Sequence, residues 1–336
     1  MSSDRVLAVD PDLTDVALSN LDRPGALTLS VPPPPDAQAW WVDQQYALYA
    51  LILGVGILFA TLTLRSREVD LRQALRRLRV LLLVGLLAGV LIYAQDLVGR
   101  REARRDWSRS LHVAVIFLEE HSQAAVPQDV MDRLFARALR ASDLLAAEKL
   151  RYIQSEHRPF WFHPLGPVGV EVAPPLPPPE GNLWEMFRYR FAVRRYLAAV
   201  HTDGDLRPER YDVRLYVTVR PSTRSDQKRF VEGMAEQGGE IGFVSAVIDE
   251  SMIDRAWITI AHEALHAVGA LDKYDAGGHH QDEGGLVEPE RSPQYPQRYA
   301  EIMVGEIPLD EGVGRVPDLL RQVRVGEVTA REIGWR

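Results

Sequence analysis

Two long apolar runs separated by a strongly basic stretch set the first hundred residues apart from everything that follows. Residues 47–64 (ALYALILGVGILFATLTL) carry no charge and are long enough to cross a bilayer core as a helix. Trp40, Trp41, Tyr46 and Tyr49 lie at its N-terminal side, where an aromatic belt is expected. A second run, 80–95 (VLLLVGLLAGVLIYAQ), is shorter and needs flanking residues to span. A pair of buried core helices would show one polar face, which neither run has. A cleavable signal would begin near residue 1, whereas here residues 1–45 come first. The pattern predicts a transmembrane helical hairpin over 46–99, with spans near 46–64 and 80–98 joined by an arginine-rich loop, 65–79.

From residue 107 the periodicity changes to alternating strand and helix patterns. LHVAVIFLE (111–119) has the length and β-branched content of a buried strand. A proline suited to a first turn and apolar residues at helical spacing predict one helix over 127–154. A strand and a proline-rich surface loop follow up to residue 181, then a helix over 182–201. Residues 211–221 alternate cleanly as a strand, 241–249 form another, and VTAREIGW near the end predicts a closing helix. Alternation of this kind implies a mixed α/β (α+β) domain over 107–336.

Composition narrows the chemistry. The chain has 336 residues and a formal net charge of −8, which argues against a nucleic-acid partner. It has no cysteine, which removes disulfide frameworks, thiolate metal sites and cysteine nucleophiles. Residues 1–45 are acidic, contain VPPPP at 31–35, and read as an extended solvated tail. The loop 65–79 carries six arginines, against seven that flank the outer ends of the two spans. The short dense loop is weighted as cytoplasmic, which puts the tail and the main domain outside.

The segment HEALHAVGALDKYD (262–275) carries the chemistry. His262 and His266 fall one helical turn apart on one face, so two imidazoles can hold one metal ion. Glu263 is placed to contact a metal-bound water rather than the metal, as a general base requires. Gly269 sits where the helix must end, and beyond it the chain can return Asp272 as a third ligand. His279 and His280 are alternative third ligands. The plain reading, an amphipathic helix with polar residues on its outer face, leaves the spacing of Gly269 and Asp272 without a purpose.

HEALHAVGALD resembles the extended zinc signature of the metzincin clan of metalloproteases, HExxHxxGxxH, with aspartate in the last place. The resemblance implies a zincin-type catalytic domain, one catalytic Zn2+, a protein or peptide substrate, and a methionine-containing turn beneath the metal. YAEIMVGEIP offers Met303 for that turn. Many clan members carry a tyrosine two residues after this methionine, where the present chain has Gly305, so the resemblance leaves Tyr274 and Tyr299 as candidates to stabilise an oxyanion. The sequence thus predicts a membrane-anchored zinc endopeptidase. The alternative is a zinc-binding membrane protein whose protease-like domain serves recognition or regulation without turnover.

Overall fold

The computed structural model describes residues 31–34, 54, 56, 61, 71–155, 157–178, 182–223, 231–235, 238–275, 278–280 and 283–336. The chain divides into two units, one built on residues 35–103 and the other on 104–336 together with 1–34.

In the first unit, helix α1 (Leu71–Ala103) is 33 residues long. Its segment Arg79–Ala103 is long and apolar enough to cross a membrane. Leu82, Leu83, Val84, Leu86, Leu87, Val90 and Leu91 are all exposed, and a water-facing core helix would not leave them so. The first apolar run lies outside the described residues, apart from Gly54, Gly56 and Thr61, which are helical. One expectation is corrected. Residues 71–79, read from sequence as loop, continue the helix, because Leu71, Leu75 and Leu78 keep helical spacing between the arginines.

The second unit is built on a five-stranded sheet. In chain order its strands are β1 (Leu111–Glu120), β2 (Phe160–Val170), β3 (Val213–Pro221), β4 (Val231–Ala235) and β5 (Ile241–Ile248). They lie side by side as β2-β1-β3-β5-β4. The first four run parallel, and β4 pairs antiparallel with β5 at the edge. β1 is buried from Leu111 to Leu118, which explains its unbroken apolar sequence: both faces are covered. Val113, Val115 and Phe117 point into the larger core, and Ala114, Ile116 and Leu118 into the smaller. The sequence reading missed β4, whose VEGMA is too short and too glycine-containing to register.

Helices α2 (Gln128–Ala136) and α3 (Ala138–Leu150) replace the single helix expected over 127–154. The break falls at Arg137, whose N–H is shared between the carbonyls of Arg133 and Leu134 while its side chain reaches Asp254 at 2.8 Å. Helix α4 (Leu183–Asp203) covers the opposite face of the sheet through Val193, Leu197 and Val200. Asn182 caps it and forms a reciprocal capping box with Glu185.

Helix α5 (Ile253–Ala267) carries the histidine motif and is buried along almost its whole length. It follows β5 directly: Asp249 accepts a hydrogen bond from the Ser251 N–H at 2.9 Å and starts the turn into the helix. Its Trp257 is fully buried, stacks edge-on against Phe117 and Phe162, and donates to the Leu134 carbonyl at 2.7 Å. Helix α6 (Glu327–Glu332) closes the unit, where Trp107 donates to the Ile333 carbonyl at 2.7 Å.

Trp257 is the pin that fixes α5 to the sheet. Trp257→Ala is expected to cost about 3–5 kcal/mol by opening a cavity. Trp257→Phe, which keeps most of the ring volume and loses the hydrogen bond to the Leu134 carbonyl, should cost about 1–2 kcal/mol. Chemical denaturation of the detergent-solubilised chain checks both, and equal stability of the two variants would contradict this placement.

Candidate metal centre

The site begins with which ring nitrogen each histidine has to spare. His262 Nδ1 lies 2.9 Å from the Ile302 carbonyl, and His266 Nδ1 lies 2.9 Å from the Ala270 carbonyl. A carbonyl can only accept, so each Nδ1 carries a hydrogen and each neutral ring presents a bare Nε2 lone pair. These two Nε2 atoms face each other at 3.1 Å. Asp272 Oδ1 completes a triangle with them, 3.1 Å from His262 Nε2 and 3.2 Å from His266 Nε2. Three lone pairs so close repel one another unless a cation, either a proton or a metal ion, sits among them.

The triangle fits a metal well. Ligand atoms at about 2.0–2.1 Å from a tetrahedral ion lie roughly 3.3 Å apart, close to the separations present here. Carbonyls that take the far ring hydrogen and so orient each imidazole, as Ile302 and Ala270 do here, usually accompany a metal site.

Local folding explains the convergence. Helix α5 ends at Ala267, and Gly269 takes φ +106°, a conformation that side chains disfavour. The reversed chain brings the Ala270 carbonyl back to His266 and Asp272 back to both rings. Lys273 N–H then bonds the Met303 carbonyl at 3.1 Å and ties this return to the turn at 301–305. In that turn Met303 is fully buried in the larger core, while its neighbour Ile302 supplies the acceptor for His262. The turn is itself held by Glu301, a buried carboxylate that accepts from the Thr329 hydroxyl at 2.7 Å and the Gly326 N–H at 3.0 Å. Sequence reading passed over Glu301, although an acid between apolar residues was a visible signal.

His262, Glu263 and His266 lie close enough together to hold a metal ion as a group. The distances separate their roles. Glu263 Oε1 stands 3.9 Å from His262 Nε2, farther than Asp272, so Asp272 fits the third ligand position and Glu263 stands beside it. The Glu263 carboxylate passes against the backbone of β4 at Gly233, where an added Cβ would come 2.0 Å from Oε1. Gly233 is therefore a site residue that sequence reading missed. A glycine inside a strand is the signal that could have found it.

Electrostatics follow the geometry. Burial would raise the Asp272 carboxyl, but hydrogen bonding from the imidazole Nε2 atoms when they carry a proton outweighs it and holds the group well below the usual carboxylate range in the metal-free site. Burial would lower His262, but Asp272, the charge of Glu263 and the Ile302 carbonyl together raise it. Tyr274 stacks beside His262 with ring centroids 6.4 Å apart, and burial together with the Asp272 charge pushes its hydroxyl up to about 12. It therefore stays a hydrogen-bond donor at neutral pH.

The remaining candidates separate cleanly. Tyr274 lines the cleft of about 330 Å3 over His262 and Glu263, together with Gly233, Thr259 and Val304. Tyr299 is not among the residues that line the cleft, and its ring lies under the Arg324 guanidinium at 4.0 Å. His279 pairs with Glu306 at 3.1 Å and His280 with the Tyr295 hydroxyl at 2.8 Å, which turns both rings away from the triangle. No model of a known protein family and no curated protein matches this chain.

The geometry makes metal titration decisive. Asp272→Ala should weaken metal binding severely, whereas His279→Ala combined with His280→Ala should leave it intact. Binding must displace a proton from His262, so apparent affinity should fall about tenfold per pH unit below the raised His262 pKa. In the metal-free protein the signs are opposite for the two partners. The His262 contribution to stability is full below about pH 6.5 and is lost as pH rises through its raised value, while the Asp272 contribution is present above about pH 3.9 and is lost as pH falls through its lowered one. Metal loss in the double-histidine variant alone would show that the return after Gly269 is wrong.

Proposed function

We propose that this protein is a membrane-anchored, zinc-dependent endopeptidase with a catalytic domain of the metzincin kind. The observation that carries the proposal is a carboxylate placed to act as a base, Glu263, beside the facing Nε2 atoms of His262 and His266 and the Asp272 oxygen, with His262 and Glu263 lining an open cleft. A site that only binds metal has no need of that base. Two nitrogens and one oxygen suit zinc and leave a position for water.

His262, His266 and Asp272 would hold the ion. When bound, zinc acidifies a water and polarises a carbonyl. Glu263, enclosed by α5 and the backbone at Gly233, would take a proton from an attacking water and pass it to the leaving amine. Tyr274, protonated at neutral pH, is placed at the cleft wall to donate to a developing oxyanion. Among the described residues β4 pairs only with β5, and its outer edge beside the cleft can take up an extended peptide by strand addition.

The anchor is the hairpin whose second helix is α1. The arginine-rich segment ahead of the span would be cytoplasmic, and the tail and catalytic domain outside. Protease added to intact cells should then digest the chain beyond residue 107 and spare the segment between the spans. Digestion only after the membrane is dissolved would reverse the orientation and leave the chemistry standing.

Catalysis is tested on the full chain in detergent or vesicles with a library of peptides. Glu263→Gln should keep its zinc and lose on the order of a hundredfold or more in cleavage rate. Zinc binding with equal, background-level cleavage in both forms would leave a metal-binding protein without turnover.

A further inference from the structure

Helix α4 is built with two apolar faces, and only one of them meets the protein. Val193, Tyr196, Leu197 and Val200 pack on the smaller core. On the opposite side Leu183, Trp184, Phe187 and Phe191 stand 92, 65, 62 and 64 % exposed. Their spacing places the four within an arc of roughly 100° on the helix. Trp184 and Phe187 stack at 5.7 Å, so the stripe is continuous. Leu176, from the proline-rich segment alongside, adds another exposed apolar side chain. A helix that needed only to cover the sheet would carry polar residues here.

The charges around the stripe point to its occupant. Arg188, Arg190, Arg194 and Arg195 are all exposed; Arg188 and Arg195 fall on one side of the stripe, Arg190 on the other, and Arg194 in line with it one turn beyond Phe191. Over the same stretch the acid is Glu185, which is engaged in the helix cap. An outward Trp, Phe and Leu stripe edged by arginines is the pattern of a helix lying in a membrane interface, where rings enter the headgroup boundary and cations meet lipid phosphates. Pairing with a second copy would set arginines against arginines across a two-fold axis. The chain also holds a helix able to cross a bilayer, and only residues 104–110 separate its end from β1.

We infer that the outer face of α4 is a second membrane contact, which docks the catalytic domain on an anionic bilayer surface independently of the transmembrane anchor. The inference rests on reading α1 as a span. The domain is then held against the lipid rather than swinging on its tether, and substrates close to the membrane are favoured over diffusing ones.

The absence of cysteine allows a clean test on the full chain. Nitroxide labels are placed singly through Phe187→Cys, Phe191→Cys, Asp129→Cys and Leu87→Cys, and the protein is reconstituted in phosphatidylcholine vesicles with or without phosphatidylglycerol. Labels at 187 and 191 should become severalfold less accessible to a water-soluble nickel chelate when phosphatidylglycerol is present. The label at 129, on exposed α2, should not change, and the label at 87 should be oxygen-accessible in both vesicles, which reports the anchor separately. Replacing Arg188, Arg190, Arg194 and Arg195 by Gln should abolish the difference, each substitution weakening docking about fivefold. Equal water access at 187 and 191 in both vesicle types would overturn the inference, as would dipolar coupling between 187 labels on different chains, which would make the occupant a second copy. A buried label at 87 with exposed labels at 187 and 191 would remove the docking face and leave the anchor.

Discussion

Two backbone carbonyls decide what the centre of this protein can do. Because Ile302 and Ala270 take the Nδ1 hydrogens of His262 and His266, the Nε2 lone pairs are forced to face one another across 3.1 Å. That arrangement is unfavourable without a cation, and Asp272 adds negative charge at the same point. The fold holds it because the carbonyls are themselves fixed, Ala270 by the turn at Gly269 and Ile302 by the Glu301-braced turn. Repulsion among the ligands is thus stored in the framework and released on binding a positive charge.

Rigidity at the site comes from the layers around it. Helix α5 is gripped by the sheet, by α2 through Trp257, and by the segment that contains Met303. Asp254, near its start, is tied to Arg137 and to the Leu320 N–H, so the helix cannot rotate its histidines away. Glu263 is confined differently, by the lack of a side chain on the neighbouring strand at Gly233.

Much of this was legible in the sequence, and the limits have physical causes. The buried strands, α4 and α5 announce themselves because burial on one or two faces writes a period into the residues. The histidine spacing and Gly269 revealed the local half of the centre, since helix geometry and a left-handed turn depend on near neighbours. The break at Arg137 did not show, because it depends on a distant acid, Asp254. The surroundings of Tyr299 were hidden for the same reason: proximity in sequence to Met303 says nothing of Arg324, whose guanidinium covers its ring. Met303 lies in a buried turn, but the atom that reaches the site is the carbonyl of its neighbour Ile302, which no side-chain pattern records. The loop of the proposed hairpin shrank because arginines interleaved with leucines at helical spacing extend a helix as readily as they end one.

The acceptor for His262 comes 40 residues later in the chain, and its own N–H is held by the Arg324 carbonyl, later still. A ribosome that has released the histidine helix has therefore not yet released the parts that orient it. Until residues 302–324 emerge and pack, His262 lacks the acceptor that fixes which nitrogen it turns inward, and the triangle is not assembled. Assembly of the triangle therefore depends on chain that follows the histidine helix, not on the helix alone.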